Sequence, residues 1–268
     1  MTVALRDTIL FIGISIAIVM LGISLGFLFL FFLLPDTILS PLQGILKIHS
    51  SSFLLFLTKI LLFSIIAVIA SIFFRRQFRR YVLWESFFFT IFLVSLAFET
   101  IALLQVVVLG LDKSPYFGTI ITRVVVFGRL VGVFSLFASG LFAAGIQYKK
   151  FGVYTGVELL LALIFSASIA VDSSVLQANL LNQVGNMMEL RIALWVIQAF
   201  AVLNFFWAGF SLNNRDYSLM GIGFIVLIIG KELIFAYSAP VIMLIGFILL
   251  VLGTVFFGNR LQAVYLWF

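Results

Sequence analysis

The stretch Arg75-Arg-Gln-Phe-Arg-Arg80, followed by an apolar run from Tyr81 to Leu109, decides the fold. The chain turns at Leu111-Asp-Lys-Ser-Pro-Tyr116 and runs apolar again to about Gly145. Each run exceeds the ~20 apolar residues that an α-helix needs to cross a ~30 Å hydrocarbon core. Inside that core every backbone N–H and C=O must find its partner within the chain, and for runs this long helix is the way to do so. The pattern predicts a membrane-spanning helical hairpin, with Glu99 on its first arm and Arg123 and Arg129 on its second.

Composition extends the reading to the whole chain. Of 268 residues, 64% are hydrophobic and 10% charged, with a mean hydropathy of +1.31. A soluble domain carries about 25% charged residues, so few segments here can face water. The expected fold class is all-α: a polytopic integral membrane protein, one transmembrane domain over residues 1–268. No stretch is long and polar enough for a separate soluble domain. The net charge of +6 would suggest nucleic acid in a soluble protein. Here the basic residues sit beside or inside apolar runs, so the expected partner is the lipid bilayer and not nucleic acid. The absence of cysteine excludes disulfides, thiolate metal sites and cysteine nucleophiles.

In chain order, eight spans are expected, at about 8–34, 53–74, 81–109, 118–146, 153–171, 189–212, 219–236 and 241–257. Seven is the alternative, if the last two form one re-entrant hairpin. The first run is too long for a signal-peptide core and lacks a small-x-small cleavage site, so it reads as an uncleaved helix. Its Gly22-Ile-Ser-Leu-Gly26 has the spacing of a close helix contact. Pro35-Asp36 ends it. Thr37 to Ser52 suits a short interfacial helix, and Asp172 to Met188 reads as a loop or short surface helix.

Charge placement predicts orientation. Arg6, Arg75, Arg76, Arg79, Arg80, Lys149, Lys150, Arg215 and Arg260 fall on one side in the eight-span arrangement, against Lys47 and Lys113 on the other. Basic residues accumulate in cytoplasmic loops, so both termini are expected in the cytoplasm and the chain in an inner or plasma membrane.

The other basic residues are Lys59, Arg123, Arg129, Arg191 and Lys231, all expected in the outer half of the membrane with Glu99, Glu189 and Glu232. A charge at the bilayer centre costs roughly 2.5–3.5 kcal/mol on insertion scales, so such residues turn inward and pair. Glu99 and Arg129 both lie ~15 Å from the outer ends of their spans at 1.5 Å per residue, so the hairpin brings them together as a buried ion pair. Gly128 and Gly132 bracket Arg129 and leave room for a neighbouring helix. A structural salt bridge is the plain reading. The functional reading is an anion held by the guanidinium fork, with Arg123, Arg129, Arg191, Gln198 and Lys231 as its ligand set.

Arg191, Trp195 and Gln198 share one helical stripe, where interhelical hydrogen bonds for Gln198 and Asn204 are the simplest account. Lys231-Glu232 reads as a snorkelling boundary pair. Glu85 and Glu158 read as structural, within reach of the Arg75–Arg80 cluster or Lys149 and Lys150. His49 lies in an outer loop, no span contains an aspartate, and no nucleophile, phosphate-loop or acyl-transfer motif occurs. No catalytic residue, metal or cofactor is therefore expected. Three functions fit: a binding, sensing or assembly subunit acting with a partner protein or as a homo-oligomer; a small transporter for an anionic solute; or a structural subunit. The bound group would be an anionic small molecule or a lipid headgroup. Transport is disfavoured by the absence of repeats and of mid-span prolines.

Overall fold

A computed structural model describes residues 3–34, 50–78, 83–111, 115–145, 151–177, 179–236 and 239–266. Arg79, Arg80, Lys47, His49, Lys113, Lys149 and Lys150 lie outside the described residues, as does the segment 35–49 that carries most of the expected interfacial helix. The helices are α1 (Val3–Leu33), α2 (Ser50–Gln77), α3 (Trp84–Ser95), α4 (Leu104–Gly110), α5 (Pro115–Ala143), α6 (Phe151–Ser168), α7 (Met187–Ser211), α8 (Arg215–Ala236) and α9 (Pro240–Leu266).

Among the described residues, seven helical stretches are long and apolar enough to cross a membrane, and the chain is an all-α polytopic bundle. The last two spans are helices of 22 and 27 residues, each long and apolar enough to cross on its own, and α9 continues nine residues past Phe257, carrying Gly258 inside it. The expected fifth span is shorter than read. It ends at Ser168, because Val171 already belongs to a strand. At 18 residues α6 is ~27 Å long, just short of the hydrocarbon thickness.

The first arm of the central hairpin is not a uniform α-helix. Between α3 and α4, Leu96–Leu103 forms a 3₁₀ helix eight residues long, where such runs seldom exceed three or four. Neither glycine nor proline forces it. The burial pattern supplies a reason. Phe98 and Ile101 are the two half-exposed positions between buried pairs, and exposure recurs at Leu104 and Val107. Three residues per turn aligns these four positions on one lipid face. Thr100, on the inner side, is fixed to Ser64 of α2 by a 2.8 Å hydroxyl–hydroxyl bond with both residues fully buried.

The helices α2, α3, α5, α7, α8 and α9 close a ring in which each packs on the next and α9 returns to α2. Helix α1 lies outside against α2 and α3, and α6 outside against α5. Toward one end five helices each send a phenylalanine to the centre: Phe74, Phe89, Phe205, Phe224 and Phe257. Their rings meet at 4.9 Å (Phe74–Phe89), 4.3 Å (Phe89–Phe257), 4.9 Å (Phe224–Phe257) and 4.6 Å (Phe205–Phe224). Each such pair adds ~0.5–1.5 kcal/mol beyond area burial, and the layer fills the ring's centre.

Small residues set the closest crossings. A Cβ on Gly230 of α8 would come within 2.7 Å of the Gly246 carbonyl oxygen of α9, so these backbones touch. The Gly22 and Gly26 contact expected in α1 does not form: neither glycine has a neighbour within 4 Å, because that face of α1 points away from the ring.

Asp172 to Met188 is not a helix. Val171–Leu176 (β1) and Asn182–Val184 (β2) pair antiparallel, Val171 opposite Val184. The Ser174 hydroxyl and amide both donate to Asp172 Oδ1, at 2.6 and 2.9 Å, and hold that carboxyl below its usual range. At the tip, Leu180 and Leu181 are buried in the bundle, Leu180 in the left-handed region at φ 60°. The Asn182 amide donates to Thr122 Oγ1 of α5 at 3.0 Å, which seats the hairpin on the ring.

Candidate functional site

Arg129 stands on α5 where α3 and the 3₁₀ segment come closest. A Cβ on Gly128 would overlap Phe98, and one on Gly132 would overlap Ser95, so only glycine lets these backbones approach. Arg129 donates from Nε to Glu99 Oε1 at 2.6 Å and from Nη2 to Glu99 Oε2 at 2.9 Å. This bidentate arrangement is the strongest form of the pair. The longer rise of the 3₁₀ segment helps to match their depths. From Glu99 to Gly110 is ~18 Å, and from Pro115 to Arg129 ~21 Å.

The pair lies on a cavity of about 290 Å³ lined by α2, α3, the 3₁₀ segment, α5, α7 and α8. Four cationic side chains line it, Lys59, Arg129, Arg191 and Lys231, against the two carboxylates Glu99 and Glu232. Lys231 pairs with Glu232 at 3.2 Å. It is 7% exposed and lines the cavity, so the expected snorkelling position is corrected. Lys59 donates to the Phe235 carbonyl at 3.2 Å, and its ammonium lies 5.5 Å from the Phe235 ring. The Arg129 guanidinium is 4.8 Å from the same ring, which therefore serves two cations. Arg191 lies over Trp195 at 5.4 Å.

Among the described residues, neither Lys59 nor Arg191 makes a salt bridge. The lining thus holds two more positive than negative charges. At an effective dielectric near 20, a unit charge 4 Å from another interacts by ~4 kcal/mol, so this excess is a strong local field for an anion. No family model, curated protein or solved structure matches this chain. The site is therefore read from its own chemistry.

Of the residues singled out in the sequence, the structure brings Glu99, Arg129, Arg191 and Lys231 to the cavity. Arg123 is not in its lining; it lies on α5 beyond Val126, and its Nε is buried without a hydrogen-bond partner. Gln198 lines an adjoining groove instead. The interhelical hydrogen bonds expected for Gln198 do not form: neither side-chain atom has a partner, nor does the Asn204 amide nitrogen. Arg75 and Arg76 end α2, and the Arg75 guanidinium lies 5.3 Å from the Phe11 ring.

Sequence reasoning left Lys59, Glu232 and Asn179 out of the ligand set, and all three line the cavity. Depth alone pointed to the first two. Asn179 had no signal, because it reaches the site only through the β-hairpin. Glu85 and Glu158 both accept hydrogen bonds inside the bundle, while Arg79, Arg80, Lys149 and Lys150, expected within their reach, lie outside the described residues. The Tyr265 hydroxyl donates to Glu85 at 3.0 Å and the Ser135 hydroxyl donates to Glu158, both from helices packed alongside.

Proposed function

We propose that this chain is a membrane-embedded binding protein for an anionic group, relaying its occupancy to another chain or to a second copy of itself. One observation carries the reading: the cavity presents four cations to two carboxylates, and among the described residues Lys59 and Arg191 line it without a salt bridge. A purely structural cluster would pair its charges, since each unpaired one is costly in lipid. The fixed ion pair of Glu99 and Arg129 forms one wall, and Lys59, Arg191 and the Asn179 amide hold the anion.

In this reading the shorter α6 makes an eighth crossing beside the seven longer helices, so both termini are cytoplasmic, the membrane is an inner or plasma membrane, and the cavity lies in the outer half. The basic residues at the ends of the spans support that orientation, nine against two. The decisive experiment is thermal melting of the full chain in nonionic detergent with phosphate or a phosphomonoester added. Saturable stabilisation is expected, abolished in Lys59→Gln/Arg191→Gln. If no member of that series stabilises the protein, or if the double variant responds equally, the proposal fails.

A second reading, transport of the same anion, is favoured by the 3₁₀ backbone beside the cavity, since irregular backbone at membrane depth is tolerated where it lines one. Uptake into proteoliposomes, lost in the same double variant, separates carriage from binding.

A further inference from the structure

The cavity does not end at Trp195 and Glu232. Both residues, with Arg191, also line a groove of about 880 Å³ between α7 and α8. Its walls are single helical stripes, so it runs along the helix axes. Along α7 it extends from Arg191 to Leu203, ~18 Å at 1.5 Å per residue, close to the ~15 Å depth of one leaflet's hydrocarbon. Charge is confined to the end shared with the cavity. Past Gln198 the lining is wholly apolar, and Leu203, Ile225 and Ile229 are exposed on it.

Gln198 stands at the change from polar to apolar lining. It is 2% exposed, yet among the described residues neither its amide nitrogen nor its amide oxygen has a hydrogen-bond partner. A buried amide left unpaired opposes folding unless something else satisfies it. A feature that is cationic at one end, carries an unpaired donor and acceptor next, and is apolar beyond has the order of groups in a lipid. The excess of two positive charges matches a phosphomonoester, which carries about −1.5 to −2 near pH 7.

We infer that the anion is the phosphate headgroup of a lipid whose hydrocarbon chain lies in the α7–α8 groove, with Gln198 hydrogen-bonding the linkage between them. This rests on the reading of the cavity as an anion site. The headgroup meets Lys59 and Arg191, and the chain covers Val202, Leu203, Ile225 and Ile229. The same phosphate chemistry without a chain would need only the cavity, so the two sources give different results.

The test is binding to the full chain in phospholipid-free nonionic detergent, comparing inorganic phosphate, dioleoyl phosphatidic acid and neutral dioleoylglycerol. Phosphatidic acid is expected to bind at least tenfold more tightly than either of the others and to displace phosphate. Leu203→Trp fills the groove from its exposed side; it should remove that tenfold gain and leave phosphate binding unchanged. Gln198→Met keeps the shape but removes the amide; it should weaken lipid binding and raise the melting temperature of the ligand-free protein. Equal affinity for phosphate and phosphatidic acid, or a lipid affinity untouched by Leu203→Trp, overturns the lipid assignment while the anion cavity stands. Tight binding of dioleoylglycerol overturns the headgroup assignment. Binding of no phosphate compound ends both readings.

Discussion

Arg129 holds both carboxylate oxygens of Glu99, at 2.6 and 2.9 Å, from an α-helix set against a 3₁₀ one. Glu99 is 8% exposed, so removing either partner leaves the other charge buried without the bidentate bond that holds it. Breaking a buried pair in this way costs about 3 kcal/mol or more, whereas removing both partners together costs less. Arg129→Gln and Glu99→Gln should each lower the melting temperature in detergent, and the double variant should recover part of the loss. A double variant as unstable as the sum of the two singles would show that the residues do not act as a pair.

The glycines beside Arg129 predict a second contrast. A Cβ at Gly128 would overlap the Cβ of Phe98, the root of a ring that cannot move aside without shifting the 3₁₀ segment. Gly128→Ala should therefore destabilise by about 1–3 kcal/mol, the usual range for overpacking. Gly22→Ala and Gly26→Ala meet nothing within 4 Å. They should be neutral, or stabilising by up to ~1 kcal/mol through better helix propensity. Thermal melting of the three variants side by side checks the ordering.

These glycines also show how far the sequence could be read. Both Gly128/Gly132 and Gly22/Gly26 have small-residue spacing, but only the first pair has a facing helix, and spacing carries no information about the neighbour. Glu99 and Arg129 were legible because lipid leaves a charge few options and their depths match. The 3₁₀ segment was not, since 96–103 contains no glycine or proline and its period of three emerges only from which neighbours bury Thr100 and Leu103. The β-hairpin was hidden because Asn179, Asn182, Gln183 and Asn186 have loop chemistry, while Val171 and Val184 pair over a long separation. For Gln198 the sequence showed a side chain that needs a partner, but not that the fold leaves it without one among the described residues.

The 3₁₀ segment makes its own prediction, and a chain without cysteine is a ready background for testing it. Single cysteines from 96 to 107 carrying spin labels should show oxygen accessibility peaking at Phe98, Ile101, Leu104 and Val107. That is a period of three, where an α-helix would give 3.6. Peaks that drift off these positions at the α-helical period would mean that α3 continues unbroken past Glu99.

Orientation is testable at two connections on either side of α7. Gln177 lies at the hairpin before it and Asn213 in the turn after it, where φ is 48°. Helix α7 is 25 residues long, ~37 Å, so the two positions should face opposite sides of the membrane. With α6 counted as a crossing, nine basic residues against two predict Asn213, next to Arg215, on the cytoplasmic side and Gln177 outside. In intact cells or right-side-out vesicles, a membrane-impermeant maleimide should label Gln177→Cys at once and Asn213→Cys only after permeabilisation. The reverse pattern would put the cavity in the cytoplasmic half, so that its anion would come from inside. Labelling of both from the same side would mean that α7 does not cross, and with it the groove that faces one leaflet would lose its physical basis.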